Sequence, residues 1–301
     1  MLVAYTVNHR EIDQAEALAQ WIVELGGAEN HDALLCLTRP AQRFEAESRL
    51  KPILEKAFKS VTTFVPYDEV EIPWPNENND ARSPNHFFKR IVQRIDQKPQ
   101  PFLWLEMDAV PLKSTWLNEL EAEYQGCKKP FMGVPLEVSG RHYMSGIAVY
   151  PPQVGRFTPR ICNAGSTPFD VFAGNDTSRM MHATSLIQYV RFNPDAPADW
   201  SVFHEPMRPD AVLYHRSKDL SLIDYLKTGN LPPAEHGAVG ELQSASQSPA
   251  VETLGGRAPV AEPTISDSIR THCDALLEIA NSNPGRRTMV ITELRKRRLR
   301  K

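Results

Sequence analysis

Five apolar residues, Pro101-Phe-Leu-Trp-Leu105, run without a break into Glu106-Met107-Asp108. A strand with one wet face alternates apolar and polar residues. A continuous apolar run instead marks a strand covered on both faces, as in a parallel sheet flanked by helices. That single segment restricts the chain to the α/β class, and neighbouring segments repeat the pattern. Leu2 to Val7 reads as a first strand, and Ala15, Leu18, Ile22 and Leu25 follow at helical spacing, stopped by Gly26-Gly27. Ala33 to Leu37 and Val61 to Val65 are further strands, with a helix expected over Phe44 to Phe58 that Pro52 kinks or delimits. After a Pro- and Asn-rich loop from Ile72 to Ser83, Ser83-Pro84 reads as a helix N-cap and first position. Phe87, Phe88, Ile91, Val92 and Ile95 form one apolar face of that helix. Ser114 reads as the cap of the next helix, bearing Leu117, Leu120 and Tyr124. Strands alternating with helices predict a mostly parallel, Rossmann-like doubly wound sheet with flanking helices.

The chain has 301 residues, enough for one large α/β core or such a core with a small appendage. No apolar run approaches the ~20 residues that cross a bilayer, so no membrane partner is expected. The N-terminal apolar stretch lacks a basic leader and a small-residue cleavage site and reads as a strand, so a cytoplasmic location is expected, host cytoplasm for a viral chain. Cys36, Cys127, Cys162 and Cys273 form no C-x-x-C pair. They fit buried, reduced thiols better than a disulfide framework or zinc knuckle.

Composition changes from Thr228 to Pro263, where Pro, Gly, Ala and Ser replace large apolar residues and no period survives. The expected organisation is a catalytic-type domain over 1–227, a linker over 228–263 and a small helical basic segment over 264–301. Thr264 to Asp267 has capping-box spacing, and Ile265, Ile269, Cys273, Leu276 and Leu277 make a helical stripe. Net charge is −3 overall, yet the last sixteen residues hold eight Arg or Lys and one acid. This tail suits a solvated helix end, favoured by the helix dipole, or an arm that binds phosphates, duplex DNA included.

Chemistry is concentrated where the apolar strand ends. Ligands of open α/β sheets bind at the carboxyl ends of strands, and the i, i+2 spacing puts Glu106 and Asp108 on one side of such an end. Two carboxylates there suit Mg²⁺ or Mn²⁺ and, through it, a diphosphate; alone, the pair also suits solvated loop acids or a helix cap. Downstream, His142 to Tyr150 reads as a strand in which Gly146 allows close approach or makes a bulge. Ala211 to Asp219 reads as a late strand running into His215-Arg216-Ser217-Lys218.

In Glu106-Met107-Asp108 and these two segments, the sequence resembles the GT-A glycosyltransferase superfamily over roughly residues 1 to 226. The resemblance implies a GT-A fold and transfer of a sugar from a nucleotide-sugar, a UDP-sugar by expectation, with a divalent ion as cofactor. Asp108 would bind the ion, Glu106 the ion or the ribose, and His215 would complete the metal site. Glu106 stands where the superfamily usually has aspartate. Thr6 and Asn8, on the strand Val3 to Asn8, take the place that holds the nucleotide, while Arg216 and Lys218 would meet diphosphate oxygens. Between the metal segments, Phe169 to Phe172 and Thr184 to Gln188 fall where acceptors bind. An inverting enzyme needs a carboxylate base there, for which Asp170 and Asp176 are the candidates; a retaining enzyme does not.

The basic tail beside such a core is similar in general pattern to phage enzymes that glycosylate hydroxymethylated pyrimidines in DNA. Other readings stay open. One is a glycan or protein acceptor, and another is a nucleotidyltransferase, although Val7-Asn-His-Arg10 lacks the Gly-rich phosphate loop. A third is a non-enzymatic DNA-binding or virion-associated protein.

Overall fold

A computed structural model describes residues 1–8, 11–38, 43–66, 82–138, 140–165, 167–190, 207–215 and 220–229. The backbone divides into two units, Met1–Ala238 and Val239–Lys301, and every described residue belongs to the first. The expected linker and basic segment therefore lie outside the described residues from 230 onward. None of the described helices is long and apolar enough to cross a membrane.

Strand β1 (Leu2–Val7) is an interior strand of a seven-stranded sheet. After helix α1 (Ile12–Leu25) the chain adds β2 (Asp32–Leu37). Helices α2 (Arg43–Arg49) and α3 (Lys51–Ala57) then lead to β3 (Ser60–Phe64). Helix α4 (Arg82–Ile95) carries the chain back across to β4 (Phe102–Leu105), on the other side of β1. The short strand β5 (Ala109–Pro111) and helix α5 (Trp116–Cys127) follow. Strands β6 (Phe131–Val138) and β7 (Arg141–Tyr150) form a hairpin whose β7 pairs antiparallel with β4.

Two short helices, α6 (Val154–Phe157) and α7 (Phe169–Phe172), and helix α8 (Gly174–Met180) precede β8 (Met181–Ala183), which joins β6 in parallel. The large sheet thus runs β3-β2-β1-β4-β7-β6-β8, with four parallel and two antiparallel pairings. A small second sheet holds β5, β10 (Leu213–His215) and β9 (Ile187–Tyr189), and α9 (Ser221–Thr228) ends at Gly229.

The apolar strands are buried on both faces, as their sequences require. Val3, Tyr5, Leu103 and Leu105 join α1 and α5 in one core, where Leu18, Ile22, Leu117 and Leu120 are fully buried. Ala4, Phe102 and Trp104 point the other way, onto Phe87, Phe88 and Ile91 of α4. This is the two-residue alternation of a strand applied to two covered faces. Because the chain leaves β1 toward β2 and β3 and returns to β4 on the opposite side, a crevice opens beyond the carboxyl ends of β1 and β4.

Several local expectations are corrected. The stretch Phe44 to Phe58 is two helices with Leu50 between them, and Pro52 sits in the first turn of the second, where its missing N–H costs no helical bond. Helix α4 begins at Arg82, before the anticipated Ser83 cap. The residue before α5 is Thr115, not Ser114, and its hydroxyl turns to Glu119 instead of capping the helix. Of the described cysteines only Cys36 is buried, while Cys127 and Cys162 are half-buried.

Ser114 has another constraint on it. At Gly27, φ is 89°, and an ideal Cβ there would stand 1.6 Å from the Ser114 carbonyl oxygen. Gly27→Ala must therefore push α1's end from the α5 entry, at a cost above about 2 kcal/mol. Gly26→Ala, at φ 78° and ψ −169° in a region essentially confined to glycine but with only the Glu29 side chain 3.4 Å away, should lose less, about 1–2 kcal/mol for backbone strain alone. Urea unfolding of both variants measures the difference, and equal losses would contradict this packing.

Candidate metal and nucleotide site

Strand β5 turns immediately after Asp108, and β10 runs antiparallel to it with His215 opposite Ala109. That register brings a histidine to the metal-type acids from more than a hundred residues away in sequence. His215 Nε2 lies 3.3 Å from Asp108 Oδ1, and both residues are only 6 % exposed. Glu106, Asp108 and His215 each offer one ligand atom, all within 4.8 Å of one another. Ligands sharing one ion at about 2.1 Å stand about 3 to 4.2 Å apart, so the set could close on a cation through side-chain movements of up to about an ångström. His215 Nδ1 is buried without a hydrogen-bond partner among the described residues, and the imidazole edge packs on Tyr189 at 5.1 Å. A buried polar ring left partly unsatisfied fits a ligand role better than a core role. Two carboxylates with an imidazole suit Mn²⁺ better than the all-oxygen preference of Mg²⁺.

Trp104 precedes Glu106 by two residues, so both side chains leave the strand on the same face. The indole Nε1 donates to Glu106 Oε1 at 3.0 Å. The ring itself is fixed by Phe87, Phe88 and Phe169, with centroids 6.0, 5.0 and 6.0 Å away. Phe169 also stacks on Phe88 at 3.9 Å, and its chain neighbour is Asp170. The loop entering α7 is held by Asn85, whose Nδ2 donates to the carbonyls of Gly165 and Thr167, both at 2.7 Å. An ideal Cβ on Gly146 would stand 3.8 Å from Asp170 Oδ2 and 3.8 Å from Glu106 Oε1. The bare glycine on β7 thus leaves open the space that these two carboxylates border.

Burial pushes the Asp170 carboxyl up to about 6; the Val171 N–H, donated at 2.9 Å, opposes this, the Glu106 charge adds to it and His215 opposes it. Asp176, the other candidate base, accepts from the Thr158 hydroxyl at 3.2 Å and lies 4.0 Å from Arg160. Neither Asp170 nor Asp176 lines the cavity described next, which Phe169 borders. Arg216 and Lys218 lie outside the described residues.

Beside the three metal-type residues is a cavity of about 300 Å³. Polar groups reach it from the end of β1 and the start of α1 (Thr6, Asn8, Glu11 and Gln14), and Thr38 follows β2. The rings of Phe87, Trp104 and Phe169 supply apolar surface. Thr6 Oγ1 donates to the Leu105 carbonyl at 3.0 Å, tying the ends of β1 and β4 together at the cavity floor. Among the lining residues, Glu11, Gln14, Thr38 and Trp104 were not expected from the sequence, and Phe169 was expected only in an acceptor-side stretch. Trp104 was accessible through two-residue periodicity, and Glu11 and Gln14 through their place just after the first strand.

No protein-family model matches the chain, and no curated protein matches it. Among solved structures it is similar to the galactosyltransferase LgtC in complex with donor and acceptor sugar analogs. That likeness covers 77% of this chain and 96% of that one, at 9% identity and a TM-score of 0.47. Mouse xyloside xylosyltransferase 1 in its apo form is similar over 72% of this chain and 97% of that one, at 10% identity and a TM-score of 0.48. The bifunctional glycosyltransferase WbbM is similar over 71% of this chain and 45% of that one, at 9% identity and a TM-score of 0.47.

The raised Asp170 carboxyl makes stability depend on pH. Its folded value of about 6 lies above the ordinary 3.8, so ionisation is disfavoured in the fold, and stability falls as pH rises between the two. Asp170→Asn keeps an oxygen for the Val171 N–H but carries no charge. In chelator-treated protein it should match the wild type near pH 4. Above pH 6 it should be more stable by up to about 2 kcal/mol, reduced somewhat by the residue's exposed edge. Urea midpoints at the two pH values measure this.

Proposed function

We propose that the chain is a metal-dependent glycosyltransferase that uses a nucleotide-sugar. The observation that carries this reading is the convergence of Glu106, Asp108 and His215 at the strand-end crevice, beside a cavity with polar and aromatic lining. Such a crevice is where α/β sheets place nucleotides, and about 300 Å³ suits part of a nucleotide-sugar, with the remainder extending over the metal-type residues. A bound Mn²⁺ or Mg²⁺ supplies charge neutralisation for the diphosphate that leaves. Asp108, His215 and Glu106 would hold it. Thr6 and Asn8 line the nucleoside part of the site, and Arg216 and Lys218, which follow His215 in sequence, are assigned to the diphosphate oxygens.

In the transfer, the bond from the anomeric carbon to the diphosphate oxygen breaks and an acceptor hydroxyl oxygen forms the new bond. Asp170 is the base assigned to the hydroxyl proton. It borders the gap left by Gly146 and carries a raised value of about 6, which leaves it mostly ionised at neutral pH yet a better base than an ordinary aspartate. Asp176 is a weaker choice, being engaged by Thr158 and near Arg160.

The donor to try first is a UDP-sugar, with Mn²⁺. Asp108→Ala should lose the Mn²⁺-dependent thermal stabilisation by donor and at least about 100-fold in release of the nucleoside diphosphate. Full metal-dependent turnover by this variant would sink the reading. Release of pyrophosphate in place of the nucleoside diphosphate would favour a nucleotidyltransferase.

For the acceptor, the basic end of the sequence favours duplex DNA carrying hydroxymethylated pyrimidines, as in phage DNA modification, over a glycan or protein. Eight of the last sixteen residues are Arg or Lys. The whole chain should bind duplex DNA with an affinity that falls steeply with salt, and removal of 265–301 should abolish that binding. Binding that is unchanged by the deletion, or insensitive to salt, would remove the support for this acceptor and for a DNA-binding non-enzyme alike.

A further inference from the structure

Glu106 is half-buried, with a long side chain and no backbone hydrogen bond to fix its carboxylate among the described residues, yet it belongs to a set whose ligand atoms lie within 4.8 Å. What reaches it is the indole N–H of Trp104, at 3.0 Å from Oε1. That donor has no freedom of its own. Trp104 is 3 % exposed and its ring is held by three phenylalanines on two other elements, Phe87 and Phe88 of α4 and Phe169 of α7. Indole N–H is a donor only, and a carboxylate oxygen accepts it.

We infer that Trp104 is the positioning residue of the metal site: its N–H takes one oxygen of Glu106 and thereby aims the other at the ion shared with Asp108 and His215. This rests on the metal reading of the preceding subsection. Partners that orient a metal ligand change affinity without touching the ion, commonly by 10- to 100-fold. The geometry also accounts for the length of residue 106. The donor lies on the same strand two residues back, and the carboxylate must meet both it and the cation. A glutamate has the extra methylene for this; an aspartate would withdraw its oxygens by about 1.5 Å, the length of one carbon–carbon bond. Trp104 and Glu106 should therefore act as a pair.

The test is Mn²⁺ titration of the full chain, without donor, for the wild type, Trp104→Phe, Glu106→Asp and the double variant. Trp104→Phe keeps an aromatic ring in the cluster and removes the N–H, so its affinity for Mn²⁺ should fall about tenfold. Glu106→Asp should weaken binding as well, and adding Trp104→Phe to it should cost nothing further, because the shared hydrogen bond is already gone. A merely structural tryptophan would lower the melting temperature but leave the two effects on affinity independent. Wild-type affinity in Trp104→Phe, or independent losses in the double variant, overturns the inference and leaves the metal reading standing. A wild type that takes up no divalent ion overturns the metal reading and the inference with it.

If Trp104→Phe does not fold, the indole N–H resonances of the five tryptophans replace it. One of them should shift in Glu106→Gln and again when Mg²⁺ saturates the wild type. Five unmoved resonances overturn the inference.

Discussion

Three residue pairs between β5 and β10 decide whether this chain has a site at all. The antiparallel ladder Leu213 to Pro111, Tyr214 to Val110 and His215 to Ala109 is short, yet its register sets which residue meets Asp108. A slip by one residue would turn His215 to the other face of its strand and present Tyr214 in its place. Parallel pairing of β10 with β9, and the burial of Ile187, Leu213 and Val212 in the main core, hold that register from the far side. The segment from β5 to β10 contains most of the second half of the sheet. The metal-type cluster is therefore assembled only when the whole domain has closed.

Assembly of this kind works against local electrostatics. Glu106, Asp108 and Asp170 bring three carboxylates to one end of the sheet, two of them largely enclosed, with the His215 imidazole beside Asp108. Burial raises the proton affinity of Asp170, and the Glu106 charge adds to it. Hydrophobic burial on both sheet faces supplies the stability that lets the cluster persist, and a cation would relieve it further.

Much of the framework was legible because buried strands and amphipathic helices have distinct periods. The apolar runs at β1, β2 and β4, and the helical face from Phe87 to Ile95, all appear where their patterns put them. Asp108 and His215 were legible as separate candidates, by strand-end position and by resemblance. Their juxtaposition was implied by the resemblance alone, because it depends on a three-residue ladder between distant segments that the residues themselves do not show. Helix boundaries failed where competing hydrogen bonds decide them, as at Thr115, whose hydroxyl prefers Glu119. The mixed strand directions were also hidden, since β7 is as apolar at its end as a parallel strand and only its hairpin with β6 sets its sense.

The aromatic cluster behind the site gives one structure two duties. Trp104 meets Glu106 on the side of the proposed ion, and Phe169, touching the same indole, carries Asp170 on the side of the proposed acceptor. Phe88 packs on both rings, so the two carboxylates share a rigid mount although they come from different elements. Close-packed interiors respond to displacement as a unit. A shift of α4 that moved Phe88 would move Glu106 and Asp170 together, preserving the spacing across Gly146 that a reacting group must enter. Independent mounting on loops would leave that spacing to thermal motion. The cost is that the site tolerates little change in ring size at four positions, and substitutions there should disturb both sides of the reaction at once.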